Sequence, residues 1–153
     1  MGKILEYFFQ KDKTENSALS MQIDRQIEIA TAALFIEAAY SDENFSAEEK
    51  QLISKMISAQ FNLSQEETKD IFEIAEEKIQ KSVSFYEFTS VLNTELNNEQ
   101  KYKIIKNIWR LIFADKVITS HEEHYIRTIS RNLLLEHSDF ISAKLEVKKE
   151  LGL

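Results

Sequence analysis

The sequence has no cysteine and no proline, and its only two glycines, Gly2 and Gly152, stand near its ends. Without cysteine the chain forms no disulfides, thiolate metal sites or cysteine nucleophiles, which fits a reducing compartment. Without internal proline or glycine, nothing interrupts a helix or supplies the positive φ angles of tight β-hairpin turns. These absences predict an all-α protein, and its 153 residues are enough for one domain.

Positive charge is also scarce, with 19 Lys and Arg against 26 Asp and Glu and a net charge of −7. Nucleic-acid binding requires an extended basic patch, which this acidic balance disfavours, so we expect no nucleic-acid partner. No apolar run approaches the ~20 residues of a transmembrane segment, and the N-terminus does not match a signal peptide. We expect a cytoplasmic protein without a transmembrane segment, with a peripheral position at the inner membrane as the alternative.

Helix starts are indicated by capping boxes. In such a box the side chain of the N-cap residue accepts a hydrogen bond from the backbone amide three residues later, and the Glu or Gln at that later position accepts one from the N-cap amide. The five boxes are Ser46/Glu49, Ser64/Glu67, Ser84/Glu87, Asn97/Gln100 and Thr119/Glu122. Apolar residues between the boxes recur at helical spacing. Three further helices are predicted near residues 3–9, 21–40 and 139–151. Together with the five capped helices, they indicate a compact single-domain bundle of about eight helices.

Residues 1–20 are predicted to form a short helix and a polar linker, before a helical domain of residues 21–153. The short helix carries the most apolar segment near a terminus, which includes Tyr7, Phe8 and Phe9. Two interpretations stay open. Either this segment docks onto the domain, or it binds the groove of a partner or the inner membrane surface.

Two stretches, residues 39–49 and 112–122, match each other in one register, 73 positions apart. Chance rarely preserves five chemically matched positions in this way, so we expect an internal helix-loop-helix duplication. The matched pairs are Tyr40/Phe113, Asp42/Asp115, Phe45/Ile118, Ser46/Thr119 and Glu49/Glu122.

The helices that lead into the two repeated loops, residues 29–40 and 102–113, are apolar on nearly all sides. Such a helix is normally enclosed by others, so we expect these two to lie side by side at the centre of the protein. Glu37 and Arg110 occupy equivalent positions in them, and a charge on so apolar a helix is usually paired. We predict that Glu37 and Arg110 approach each other across a pseudo-twofold axis.

The repeated acidic residues have two interpretations. In the structural one, Glu49 and Glu122 complete capping boxes, the two aspartates hydrogen-bond loop amides, and no cofactor is needed. Phe45 and Ile118 then insert into the core. In the other, carboxylate oxygens meet across the pseudo-twofold axis and bind a divalent cation, Ca²⁺, Mg²⁺ or Mn²⁺. The four ligands of that site are Asp42, Glu49, Asp115 and Glu122.

Known metal and catalytic motifs are not matched. An EF-hand loop needs Gly at its sixth place and Glu at its twelfth, where the first copy has Ala47 and Ile53. The two histidines of residues 121–124 are three positions apart, whereas the zincin motif places them four apart. No Ser or Thr has a recognisable nucleophile setting, and glycine is too scarce for a phosphate-binding loop. We expect no catalytic residue and no enzymatic activity.

The doubled pattern has a counterpart in a known family. Each copy, residues 40–49 and 113–122, holds a small residue and Asp, an apolar residue three positions after the Asp, a hydroxyl residue, and Glu seven positions after the Asp. The pattern stands at the start of a helix in each half of the chain. In this it resembles the pattern of the family of the tellurite-resistance protein TerB. Residues 61–64 are similar to the inter-helix turn of that family, and the resemblance covers residues 21–145. Family members usually carry Gly after the Asp, where this chain has other residues.

The resemblance implies an all-α, internally duplicated domain with an acidic surface that is linked to metal, acting in bacterial stress or metal-resistance assemblies. We therefore predict a non-enzymatic interaction module of stress or tellurite resistance, which presents an acidic surface from its two loops to a protein partner in a membrane-associated complex. The alternative is a divalent-cation sensor that uses the paired Asp and Glu residues. The residues predicted to contact a partner are Glu43, Glu48, Tyr7, Phe8 and Phe9.

Overall fold

The computed structural model describes residues 2–40, 46–81, 84–114 and 118–153, and for residues 2–17 it describes the backbone alone. These ranges contain seven α-helices and no strand, so the all-α prediction is confirmed. The helices are α1 (Gly2–Tyr40), α2 (Ala47–Phe61), α3 (Gln65–Lys81), α4 (Tyr86–Glu95), α5 (Asn98–Ala114), α6 (Ser120–Asn132) and α7 (His137–Glu150).

Helix α1 accounts for the difference between seven helices in the described residues and the eight predicted. It runs unbroken over 39 residues, where two helices and a polar linker over residues 11–20 were expected. The linker residues are polar, but neither proline nor glycine is among them, so the helical backbone continues through them. The division into an N-terminal segment, residues 1–20, and a domain, residues 21–153, stays a prediction.

The core is built around the second half of α1 and around α5. Residues 28–36 of α1 are all buried, and this helix packs against α2, α3, α4, α5 and α6. Helix α5 packs against α1, α2, α6 and α7. The prediction that these two apolar helices lie together at the centre is confirmed. The buried residues of α5 are Lys101, Ile104, Ile105, Ile108, Trp109, Leu111, Ile112 and Phe113.

The helix starts follow the predicted caps at four of five positions. The Ser46 side chain accepts from the Glu49 amide, and the Ser64, Asn97 and Thr119 side chains each accept from the amide three residues on. Helix α4 differs, because it begins at Tyr86 with Phe85 as its N-cap. The caps of the two repeated loops have similar backbone angles, φ −81° and ψ 161° at the first and φ −83° and ψ 155° at the second. The internal duplication itself stays a prediction.

Candidate functional site

An open pocket of about 600 Å³ lies between the C-terminal end of α1, helix α3 and the N-terminal end of α6. Tyr40, in the lining, is the last residue of α1 and precedes the first repeated loop. His121, also in the lining, stands in the first turn of α6, which follows the second repeated loop. The described residues that flank the two loops therefore meet at one pocket. The lining comprises Glu37, Tyr40, Glu76, Ile79, Gln80, Phe85, His121 and Tyr125.

Glu37 is the least satisfied polar group of this pocket. Its side chain is half-buried, and its Oε2 atom is buried without a hydrogen-bond partner among the described residues. Burial raises the pKa of Glu37 from its ordinary 4.5 to about 7. A carboxyl in this setting changes its protonation state near neutral pH, because low-dielectric surroundings disfavour the charged form.

Two tyrosines stand beside the pocket's carboxylates. The Tyr125 hydroxyl donates to the Leu34 carbonyl oxygen at 2.8 Å. Burial, and secondarily the charge of Glu37, raise the pKa of Tyr125 well above its ordinary value. The Tyr40 hydroxyl donates to Oε2 of Glu76 at 3.4 Å. With two carboxylates and no Lys or Arg among its described lining residues, the pocket is suited to a cationic or hydrogen-bond-donating group.

Arg110 lies at a different place, so its predicted approach to Glu37 is wrong. Its guanidinium binds Glu150 of α7 through two hydrogen bonds, Nε to Oε2 at 2.7 Å and Nη2 to Oε1 at 2.8 Å. A third bond, from Nη1 to Oδ1 of Asn107, measures 2.7 Å. Glu37 takes part in no ion pair within the described part of the chain.

The four predicted cation ligands are only partly described. Asp42 and Asp115 lie outside the described residues. Glu122 is buried, and its Oε1 accepts from the amide and the hydroxyl of Thr119 at 3.3 and 3.0 Å, so its role in a capping box is confirmed. Glu49 stands in the first turn of α2. Within the ranges that the structure describes, no three His, Cys, Asp or Glu side chains are grouped as metal ligands, and the cation site stays a prediction.

The remaining predicted residues are distributed over the molecule. Glu48 is exposed in the first turn of α2, and Ile118 is 36% exposed and so is not inserted into the core as predicted. Glu43 and Phe45 lie outside the described residues. The side chains of the three predicted N-terminal aromatic residues, at positions 7 to 9, are not described either, although their backbone belongs to α1.

Sequence analysis did not identify Glu76 or Tyr125. They lie on α3 and α6, far from Glu37 in the chain, and only the packing of three helices brings them together. No local pattern in the sequence could have indicated them.

Among the described residues, no helix combines the length and the apolar character needed to cross a bilayer. A family model described as "Tellurite resistance protein TerB" matches residues 28–145, about three quarters of the chain. The match begins where α1 becomes buried and ends within α7. No curated protein and no solved structure matches the chain.

Proposed function

Because the chain belongs to the TerB family, we propose that it is a non-enzymatic interaction module of bacterial stress or tellurite resistance. In this proposal the acidic pocket and the two repeated loops bind a basic group of a protein partner, within a membrane-associated resistance complex. The protein's net charge of −7 favours such partners through long-range attraction.

The observation that carries the proposal is the Oε2 atom of Glu37, buried in a pocket without a hydrogen-bond donor among the described residues. A buried acceptor without a donor costs free energy, which a Lys or Arg side chain from a partner would recover. Such a cation would also lower the pKa of Glu37 and keep its carboxylate charged. Glu76, in the same lining, supplies a second acceptor.

The test is the recovery of partners from the native host by the tagged full chain, with identification by mass spectrometry. We expect a partner that is captured by the parent chain and lost from the double variant Glu37→Gln, Glu76→Gln. The matched control, Glu66→Gln and Glu95→Gln, replaces the same number of carboxyl groups at exposed positions outside the pocket and should keep the partner. Equal recovery by both variants, or no partner of the parent chain, would contradict the proposal.

The second candidate function is a divalent-cation sensor. Its support is the same pocket, whose described lining offers two carboxylates and no Lys or Arg, together with the Asp that each repeated loop contains in the sequence. Hard divalent cations prefer such oxygen ligands. Calorimetry with millimolar Ca²⁺, Mg²⁺ and Mn²⁺ tests this function on the parent chain and on the Asp42→Asn, Asp115→Asn variant. If the parent chain releases no heat beyond that of the variant, the cation hypothesis is wrong.

A further inference from the structure

A groove between α2 and α5 is lined by basic residues, although the protein as a whole is acidic. Its volume is about 490 Å³. Four of its described lining residues are basic, namely Lys55 from α2 and Lys103, Lys106 and Arg110 from α5, and none is acidic. In the sequence Lys103, Lys106 and Arg110 follow one another along α5, and helix packing adds Lys55 of α2 to them.

Helix α7 already pairs with two of these basic residues, Lys106 and Arg110. Lys106 pairs with Glu146 at 3.2 Å, and Arg110 pairs with Glu150 at 2.7 Å. On each helix the two partners are four residues apart, so they follow one another by a turn along the same face. Helix α5 thus already binds one helix through carboxylates spaced by four residues.

On the opposite side of the groove, formed by Lys55 and Lys103, no described lining residue supplies a carboxylate. Lys55 and Lys103 are exposed and form no ion pair with any described residue. The Asn107 side-chain amide of α5 donates to Oε1 of Gln60 of α2 at 2.9 Å. This hydrogen bond joins the two helices within the lining of the groove. Met56, half-buried in the lining, adds an apolar contact surface.

We propose that this groove binds an acidic helical segment of a protein partner, whose carboxylates on one face pair with Lys55 and Lys103. Because Lys55 belongs to α2 and Lys103 to α5, the segment would bridge these two helices. This inference is independent of the proposed function, because it concerns residues of α2 and α5 that do not line the acidic pocket. The chain would then have two contact surfaces of opposite charge.

A short acidic helix fits the groove better than a nucleic acid or a lipid surface. Since α7 neutralises Lys106 and Arg110, only two lining cations are free of ion pairs with described residues. Polyanionic nucleic acid and anionic membranes need many basic contacts to overcome repulsion from a body of charge −7. A helix with a few carboxylates and an apolar face needs only a local match.

The test uses fluorescence anisotropy of a labelled synthetic helical peptide that carries Glu at positions four apart, titrated with the full chain. A peptide with Gln in place of Glu is the ligand control. We expect the Lys55→Glu, Lys103→Glu variant to bind the Glu peptide about tenfold more weakly than the parent chain, because two attractive contacts become repulsive. The binding should also weaken as salt is added.

The matched protein control is Lys78→Glu with Arg131→Glu, which reaches the same net charge through exposed residues outside the groove. We expect its affinity for the Glu peptide to stay within about twofold of the parent, since distant surface charges are screened. Circular dichroism of both variants checks that they fold. A peptide with Lys in place of Glu should prefer the Lys55→Glu, Lys103→Glu variant.

Three results would overturn the inference. The first is equal binding of the Glu and Gln peptides, or binding of neither. The second is equal weakening by the groove variant and its control. The third is binding of phosphatidylserine vesicles or duplex DNA that exceeds binding of the Glu peptide and is lost in the groove variant.

Discussion

The side chain of Glu37 sits in surroundings that disfavour its charged form. Its ordinary pKa of 4.5 is raised to about 7 by burial. Between these two values the folded protein binds more protons than the unfolded chain, so the free energy of unfolding falls as pH rises through this window. Below it, both states are protonated and Glu37 imposes no penalty. Above it, the penalty is complete.

We predict that Glu37→Gln removes this dependence. At pH 8 the variant should be more stable than the parent by roughly 1–2 kcal/mol, less than the full shift implies because the carboxyl is partly exposed to solvent. At pH 5 the two proteins should differ by less than about 0.5 kcal/mol. Urea unfolding, followed by the fluorescence of Trp109, the only tryptophan, measures both differences.

The control for this prediction is Glu95→Gln, which neutralises an exposed carboxylate at the end of α4. Its effect on the free energy of unfolding should be the same at both pH values. If the Glu37 variant and the parent keep a constant difference from pH 5 to pH 8, burial of Glu37 does not govern the pH dependence.

Among the helices, α1 combines two different environments. Residues 18–22 are exposed on all sides, with Leu19 at 59% and Met21 at 69%, whereas residues 28–36 are buried. These five residues are more than one full turn of helix, and no other described helix covers them. Helical backbone there depends on local propensity, which contributes little to the stability of the fold.

Deletion of residues 1–12 should therefore leave the melting temperature within about 2 °C of the parent, since the deleted residues precede the exposed turn. Far-UV circular dichroism should lose helical signal in proportion to the residues removed. A variant with Tyr7, Phe8 and Phe9 replaced by Ser is the matched control, because it keeps the length. A fall of about 10 °C in either protein would show that the N-terminal segment docks onto the domain.

At the scale of the whole molecule, the buried side chains form one continuous core to which every helix from α1 to α7 contributes. Trp109 lies within it, stacked on Phe113 with ring centroids 5.4 Å apart and tilted against Phe140 of α7 at 5.2 Å. Its fluorescence therefore reports on contacts between helices that are distant in the chain. A single core of this size usually unfolds in one cooperative step.

We predict that Trp109 fluorescence and far-UV circular dichroism give the same urea midpoint for the chain that lacks residues 1–12. The deletion removes helix that could unfold separately without affecting the core. Midpoints that differ by more than about 0.5 M would indicate that the helices do not unfold together.

The helical class, most helix starts and the family were predictable from the sequence because their signals are local. A capping box such as Thr119/Glu122 involves four consecutive residues, and the apolar surface of residues 102–113 is evident without any partner. The resemblance to TerB likewise rests on two short stretches, and the family model confirms the family. The unbroken course of α1 through residues 11–20 differs from the predicted linker, because polar residues alone do not end a helix and neither proline nor glycine is among them.

Only the tertiary structure decided which charges meet. Arg110 was expected opposite Glu37 but binds Glu150, and the Glu37 carboxyl has no partner among the described residues. The basic groove likewise depends on packing, since Lys55 of α2 joins the basic residues of α5 only in the folded protein. Helix formation follows from neighbours in the chain, whereas a site depends on how helices pack, which is set by the fit of their apolar surfaces over long separations in sequence.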